Sequence, residues 1–145
     1  MHLTIDGFGG NAEKLGSETL VRSLLDRYPT AINMTKITSP MVMEYSGEKP
    51  EDWGVTGFVI IAESHISIHT FPHHGYVWVD VFSCKEFDTD GATDMIVEAF
   101  DLEKITYHKL PRGLEFPHAI DEATPIAMGE RVDVTRQLVD ATAGS

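Results

Sequence analysis

Between positions 63 and 84 the chain gathers a carboxylate, hydroxyls, imidazoles and a thiol: Glu63-Ser64-His65-Ile66-Ser67-Ile68-His69-Thr70-Phe71-Pro72, then Asp80-Val81-Phe82-Ser83-Cys84. Side chains of these types exchange protons near neutral pH, attack carbonyl carbon or bind metal ions. If residues 65 to 69 are extended, His65, Ser67 and His69 share one face while Ile66 and Ile68 pack on the other. A polar row of this kind needs a polar environment or a site. His65, His69, His73 and His74 suggest a metal, but an extended chain puts His65 and His69 about 13 Å apart at ~3.3 Å per residue. That is too far for shared ligation without a bend, so no metal is expected and His73 and His74 read as loop residues. Ser64 with His69 would suit a serine hydrolase, yet no G-x-S-x-G elbow surrounds the serine. The glycines of Gly7-Phe8-Gly9-Gly10 do not form G-x-G-x-x-G and open no βαβ unit, which leaves a dinucleotide site unsupported.

The elements that must position this segment follow from apolar periodicity. His2 to Phe8 alternates as a short strand and is broken by Gly7, Gly9 and Gly10. Ser17 can cap a helix that carries Leu20, Val21, Leu24 and Leu25 on one face and is expected to close at Pro29. An apolar segment from Ile37 to Tyr45 is interrupted by Pro40, and residues 46–54 read as a polar loop. Gly57 to Ala62, Ile66 to Phe71 and Tyr76 to Cys84 are the expected central strands. Asp88, Thr89 and Asp90 can cap a second helix with Ala92, Met95, Ile96, Ala99 and Phe100 inward, and Lys104 to Lys109 returns as a strand. This order predicts an α/β (α+β) sandwich, an antiparallel sheet with helices packed on one face. The other face then needs cover, which a second copy or the tail beyond Pro111 can supply. We expect a homodimer.

A chain of 145 residues is a single-domain length, so residues 1–145 are read as one domain. A net charge of −12 repels a phosphate backbone, so no nucleic-acid partner is expected, and a cationic small molecule suits it better. No stretch is apolar enough to span a bilayer, and the N-terminus shows no export pattern; the expectation is a cytoplasmic protein without a membrane partner. The lone Cys84 cannot form an internal disulfide and fits a reducing compartment or a chemical role.

The run ESHISIHTFP together with DVFSC closely resembles the processing segment of the prokaryotic S-adenosylmethionine decarboxylases, and the similarity is strongest from Gly54 to Cys84. The resemblance implies that family's fold and a proenzyme that cuts itself between Glu63 and Ser64. The products would be a β chain of residues 1–63 and an α chain of residues 64–145 whose first residue becomes a pyruvoyl group. It further implies that Ser64 attacks the Glu63 carbonyl, that His69 removes the Ser64 α-proton, and that Thr56 stands where the family often carries a serine that assists processing. The pyruvoyl group derived from Ser64 would take the substrate amine as a Schiff base and act as electron sink, without pyridoxal phosphate or metal. Cys84 would return a proton to the α-carbon.

For substrate binding, the family often places an adenine-stacking aromatic just before this segment. Here Pro50 takes that place, and Trp53 is the candidate replacement, with Glu63 a second binding candidate. Relatives on the same pyruvoyl fold act on arginine or ornithine, and Glu48, Glu51 and Asp52 would suit such cations, although a solvated loop explains them equally. A decarboxylase of polyamine biosynthesis acting on S-adenosylmethionine is the leading expectation. A basic amino acid as substrate, or a non-catalytic regulatory paralogue, are the alternatives.

Overall fold

The alternation along His2–Phe8 turns Leu3 and Ile5 to one side and His2, Thr4 and Asp6 to the other. In the computed structural model, which describes residues 1–112, that segment is strand β1 with this burial pattern. A short helix α1 (Ala12–Leu15) follows, its first N–H groups held by the Asn11 side chain. Helix α2 (Glu18–Ala31) is capped by Ser17, whose hydroxyl accepts from the Leu20 N–H at 3.1 Å. Pro29 does not close this helix, contrary to expectation, and lies inside it. A proline near the C-terminal end removes one backbone donor, and its fixed φ is already helical. The final turn is held instead by Ile32 and Met34 N–H groups donating to the Tyr28 and Pro29 carbonyls.

Strand β2 (Met41–Ser46) starts directly after Pro40, and β3 (Trp53–Ile61) starts four residues before the apolar run that announced it. Its first residues carry no clear alternation, and pairing with β2 makes them a strand: Trp53, Gly54, Val55 and Thr56 sit opposite Ser46, Tyr45, Glu44 and Met43. Strand β4 (Ser64–Phe71), a 3-10 turn over Pro72–His74, β5 (Tyr76–Ser83), α3 (Thr89–Phe100) capped by Asp88, and β6 (Lys104–Leu110) complete the order. The sheet runs β2-β3-β4-β5-β1-β6 with every neighbouring pair antiparallel. This is the expected α+β sandwich.

One face of the sheet forms the core. Ile5, Val55, Val59, Ile66, Ile68, Val79 and Val81 pack against Val21, Leu25 and Tyr28 of α2 and Ile96 and Phe100 of α3. The Tyr28 hydroxyl donates to the Ala92 carbonyl at 2.8 Å and so ties the two helices together. Burial pushes its pKa well above the ordinary phenol value, which keeps the donor protonated. The opposite face carries no helix among the described residues and presents large apolar side chains, with Met41 and Tyr45 each 64% exposed and Trp78 48% exposed. Residues 113–145, with the tail that was one candidate to cover it, lie outside the described residues, as does that part of the single-domain expectation.

Two strand glycines face different neighbours. A Cβ on Gly57 would lie 2.5 Å from a Leu25 methyl, which can rotate away, whereas a Cβ on Gly54 would lie 1.8 Å from the Thr70 carbonyl oxygen, which cannot. Gly54→Ala is therefore expected to cost about 3 kcal/mol and Gly57→Ala about 1 kcal/mol, read from urea denaturation midpoints.

Candidate active site

Strands β3 and β4 are joined by the two-residue turn Ala62-Glu63, with Ile61 paired to Ser64. Tight hairpin turns of this length usually need positive φ at their central residues, which glycine and asparagine supply. Neither Ala62 nor Glu63 adopts it, and the unusual torsion falls on Ser64 instead, with φ 155°. The turn is pinned from β5: the Cys84 N–H donates to the Glu63 carbonyl at 3.0 Å. Cys84 is held in turn by fully buried Ser83, whose hydroxyl accepts from the Lys85 N–H at 2.9 Å and donates to the Lys85 carbonyl at 2.7 Å. At this tip the Ser64 hydroxyl lies 3.2 Å from Nδ1 of His65, and the Glu63 carboxylate accepts from the Thr35 N–H at 3.0 Å. Glu63, Ser64 and Cys84 thus meet at one end of the sheet.

Thr56 and His69 meet at the other end. They are register partners on β3 and β4, with Thr56 Oγ1 3.2 Å from His69 Nδ1 on the helix-free face. They line a cleft of about 520 Å³ with Tyr45, Trp53 and Phe71 as its aromatic walls and Glu48, Lys49 and Asp52 giving its rim a net acidic character. Thr70, next to His69, faces the core, where its hydroxyl accepts the Val55 N–H at 2.9 Å and clamps the two strands beside the cleft. Ser67 stays on the helix-free face opposite Asp80.

The tight turn at Ala62-Glu63 places Ser64 at the first position of β4. It does not bring Ser64 to His69, because β4 keeps an unbroken register with β3 and β5 from Ser64 onward. Five residues of strand separate them, about 16 Å at ~3.3 Å per residue. Trp53 and Glu63 are likewise at opposite ends of β3. The sequence reading also passed over two residues. Tyr45 enters the cleft because Met41, Met43 and Tyr45 alternate outward along β2, a period-2 signal that Pro40 and the short strand obscured. The sequence points to His65 as a member of the polar row and of the histidine cluster, not as the neighbour of the Ser64 hydroxyl. Among the described residues no three His, Cys, Asp or Glu side chains converge as metal ligands, and no helix is long and apolar enough to cross a membrane.

The S-adenosylmethionine decarboxylase family model matches residues 1–113. Among similar proteins, the S-adenosylmethionine decarboxylase proenzyme of Archaeoglobus fulgidus is 34% identical over 113 residues, covering 77% of this chain and 96% of its own length. The proenzyme of the same name from Aquifex aeolicus is 36% identical over 115 residues, 79% of this chain and 81% of its own. The crystal structure of the adenosylmethionine decarboxylase from Aquifex aeolicus superposes with a TM-score of 0.62 at 34% identity, covering 78% of this chain and 89% of that one. A six-stranded antiparallel sheet with its helices on one side, and a serine opening the strand after a tight turn, match a family of small α+β lyases. The chain belongs to the S-adenosylmethionine decarboxylase family.

Trp53 of β3 lines the cleft while Trp78 stands outside it on β5, two strands away. A ligand entering the cleft is expected to quench or shift indole emission, and Trp53→Phe to abolish most of that response; a response retained in Trp53→Phe assigns it to Trp78 and removes Trp53 from the site.

Proposed function

We propose that the chain is a proenzyme that cuts itself between Glu63 and Ser64, and that the cut form decarboxylates S-adenosylmethionine. The observation that carries this reading is the hydrogen bond from the Cys84 N–H to the Glu63 carbonyl. It polarises the one carbonyl that Ser64 must attack and gives the resulting oxyanion a fixed donor. Attack by Ser64 Oγ on that carbon, with loss of the C–N bond, turns the peptide into an ester. Removal of the Ser64 α-proton then expels the Glu63 carboxylate from Cβ and leaves dehydroalanine, which tautomerises to an imine; water adds to the imine carbon and ammonia leaves, giving the ketone. The position fits the keto group so formed. Ser64 supplies the β-oxygen the elimination needs, and a cut at a hairpin tip leaves β3 and β4 paired in the sheet. The strained φ of Ser64, of a kind that costs about 1–3 kcal/mol, ceases to exist once the bond is cut.

The pyruvoyl group supplies an electron-accepting carbonyl that holds the substrate amine and draws off the electron pair left by CO₂. Around it, Cys84 carries the proton delivered to the α-carbon, and His69, oriented by Thr56, removes the Ser64 α-proton during processing. Because His69 and Ser64 stand at opposite ends of β4, one chain holds two incomplete halves. A homodimer completes them. Its two sheets pack through their exposed apolar faces, and a two-fold axis between the sheets and across the strands sets the Ser64 end of one protomer over the His69 end of its partner. Trp53 and Glu63 come to one site in the same way.

The aromatic walls Tyr45, Trp53 and Phe71 suit the flat base of an adenosyl group, and Glu48 and Asp52 suit the sulfonium charge. The acidic rim alone would also serve arginine or ornithine, the second reading. A reduced thiol at Cys84 suits the cytoplasm.

Three outcomes test the proposal. Ser64→Ala is expected to remain a single full-length chain by denaturing mass spectrometry, where wild type gives two fragments; an uncut wild type would instead mark a non-catalytic paralogue. Cys84→Ala is expected to be cut yet to decarboxylate about 100-fold more slowly, and an uncut Cys84→Ala overturns its assigned role. Carboxyl-labelled S-adenosylmethionine, arginine and ornithine offered in parallel are expected to release labelled CO₂ only from the first.

A further inference from the structure

Resting on the self-processing reading, we infer that His65 is the base that starts the cut: its Nδ1 takes the Ser64 hydroxyl proton as Oγ attacks the Glu63 carbonyl. The acyl shift needs a group that removes a proton from a hydroxyl far too weakly acidic to ionise at neutral pH, within hydrogen-bond reach of Oγ. Nδ1 of His65, 3.2 Å from Oγ, meets that requirement, while His69 on the same strand is out of reach. In the Nε2–H tautomer the Ser64 hydroxyl donates to Nδ1 and its lone pairs are free for the attack.

The neighbours hold the ring in place. The His65 ring lies between Phe58 of β3, 5.3 Å away between centroids, and Phe82 of β5, 5.7 Å away and edge-on. Phe82 is the register partner of His65 on β5, and Phe58 lies diagonally across on β3, two residues from the β3 partner Ile60. The aromatic flanks hold the imidazole beside Oγ. The scissile carbonyl accepts from the Cys84 N–H, so the base and the oxyanion donor each contact one of the two groups that react at this peptide bond.

The proton and electron balance closes without a co-reactant. The Oγ–C bond forms as the Oγ proton moves to Nδ1, and the carbonyl π pair moves to oxygen beside the Cys84 N–H. The pair returns as the C–N bond breaks, and the proton on His65 passes to the departing Ser64 nitrogen. His65 ends neutral and ready. His69 from the partner acts later, on the α-proton, so the two histidines of the motif take separate steps.

The test follows freshly synthesised chain by denaturing mass spectrometry from full length to two fragments. His65→Ala is expected to slow that conversion by about 100-fold, and millimolar imidazole to restore it in proportion to its concentration by occupying the vacated space between Phe58 and Phe82. His65→Asn, which keeps a hydrogen-bonding side chain but no basic nitrogen, is expected to stay slow while its melting temperature remains that of wild type. Cutting of either variant at the wild-type rate overturns the role of His65, as does a slow His65→Ala that imidazole does not restore. Those results leave self-processing standing, whereas a wild type that never yields fragments removes the reading on which this inference rests.

Discussion

The hydrogen bond between the Cys84 amide and the Glu63 carbonyl is the constraint on which the rest of the arrangement depends. It joins the end of β5 to the β3–β4 turn, two segments distant in sequence, and it fixes the direction in which the Glu63 carbonyl points. Its donor is kept in place by the buried Ser83 hydroxyl, which closes both backbone groups of Lys85 around Cys84. Its acceptor belongs to a turn built from residues that do not favour the twist a two-residue hairpin requires, so the torsional misfit is passed to Ser64. Rigid support on one side and a strained torsion on the other converge on a single peptide bond.

The sheet gives that bond its setting. One face is closed by α2 and α3 over an aliphatic core, and this makes β4 straight and its register unambiguous. The same regularity keeps Ser64 and His69 apart. A bulge that joined them would turn Ile66 and Ile68 out of the core, so the packing keeps the two residues at separate ends of the strand. In the proposed homodimer the exposed methionines and aromatics of the helix-free face have a second role, because a second copy that covered them would also complete the chemistry.

Much of this was legible in the sequence. The alternation in β1, β4 and β5 gave the strands and their faces, and Ser17 and Asp88 gave the helix starts, because capping and period-2 burial are local effects. The end of α2 and the start of β3 were not, since Pro29 is tolerated by tertiary packing and Trp53-Gly54 becomes strand only by pairing with β2. For the site, residue types and the family resemblance pointed to Glu63, Ser64, His69, Thr56, Trp53 and Cys84. The distance between Ser64 and His69 follows from the extended chain alone, whereas the neighbours each meets follow from register, which no local pattern encodes. Tyr45 and the contact of His65 with Ser64 are consequences of strand pairing and of one backbone torsion, and both were invisible until the chain was folded.

The most direct measurement of the central claim, that two chains complete one another's cutting site, co-expresses a Ser64→Ala chain with a His69→Ala chain of distinguishable mass. Each alone lacks one half of every site. The mixture contains dimers in which the His69→Ala chain contributes Ser64 and Cys84 while its partner contributes Thr56 and His69. The account predicts a keto-capped C-terminal fragment, trapped by a carbonyl reagent and identified by mass, that arises from the His69→Ala chain and only in the mixture. No such fragment from the mixed dimers, or full cutting of the His69→Ala chain on its own, would contradict it.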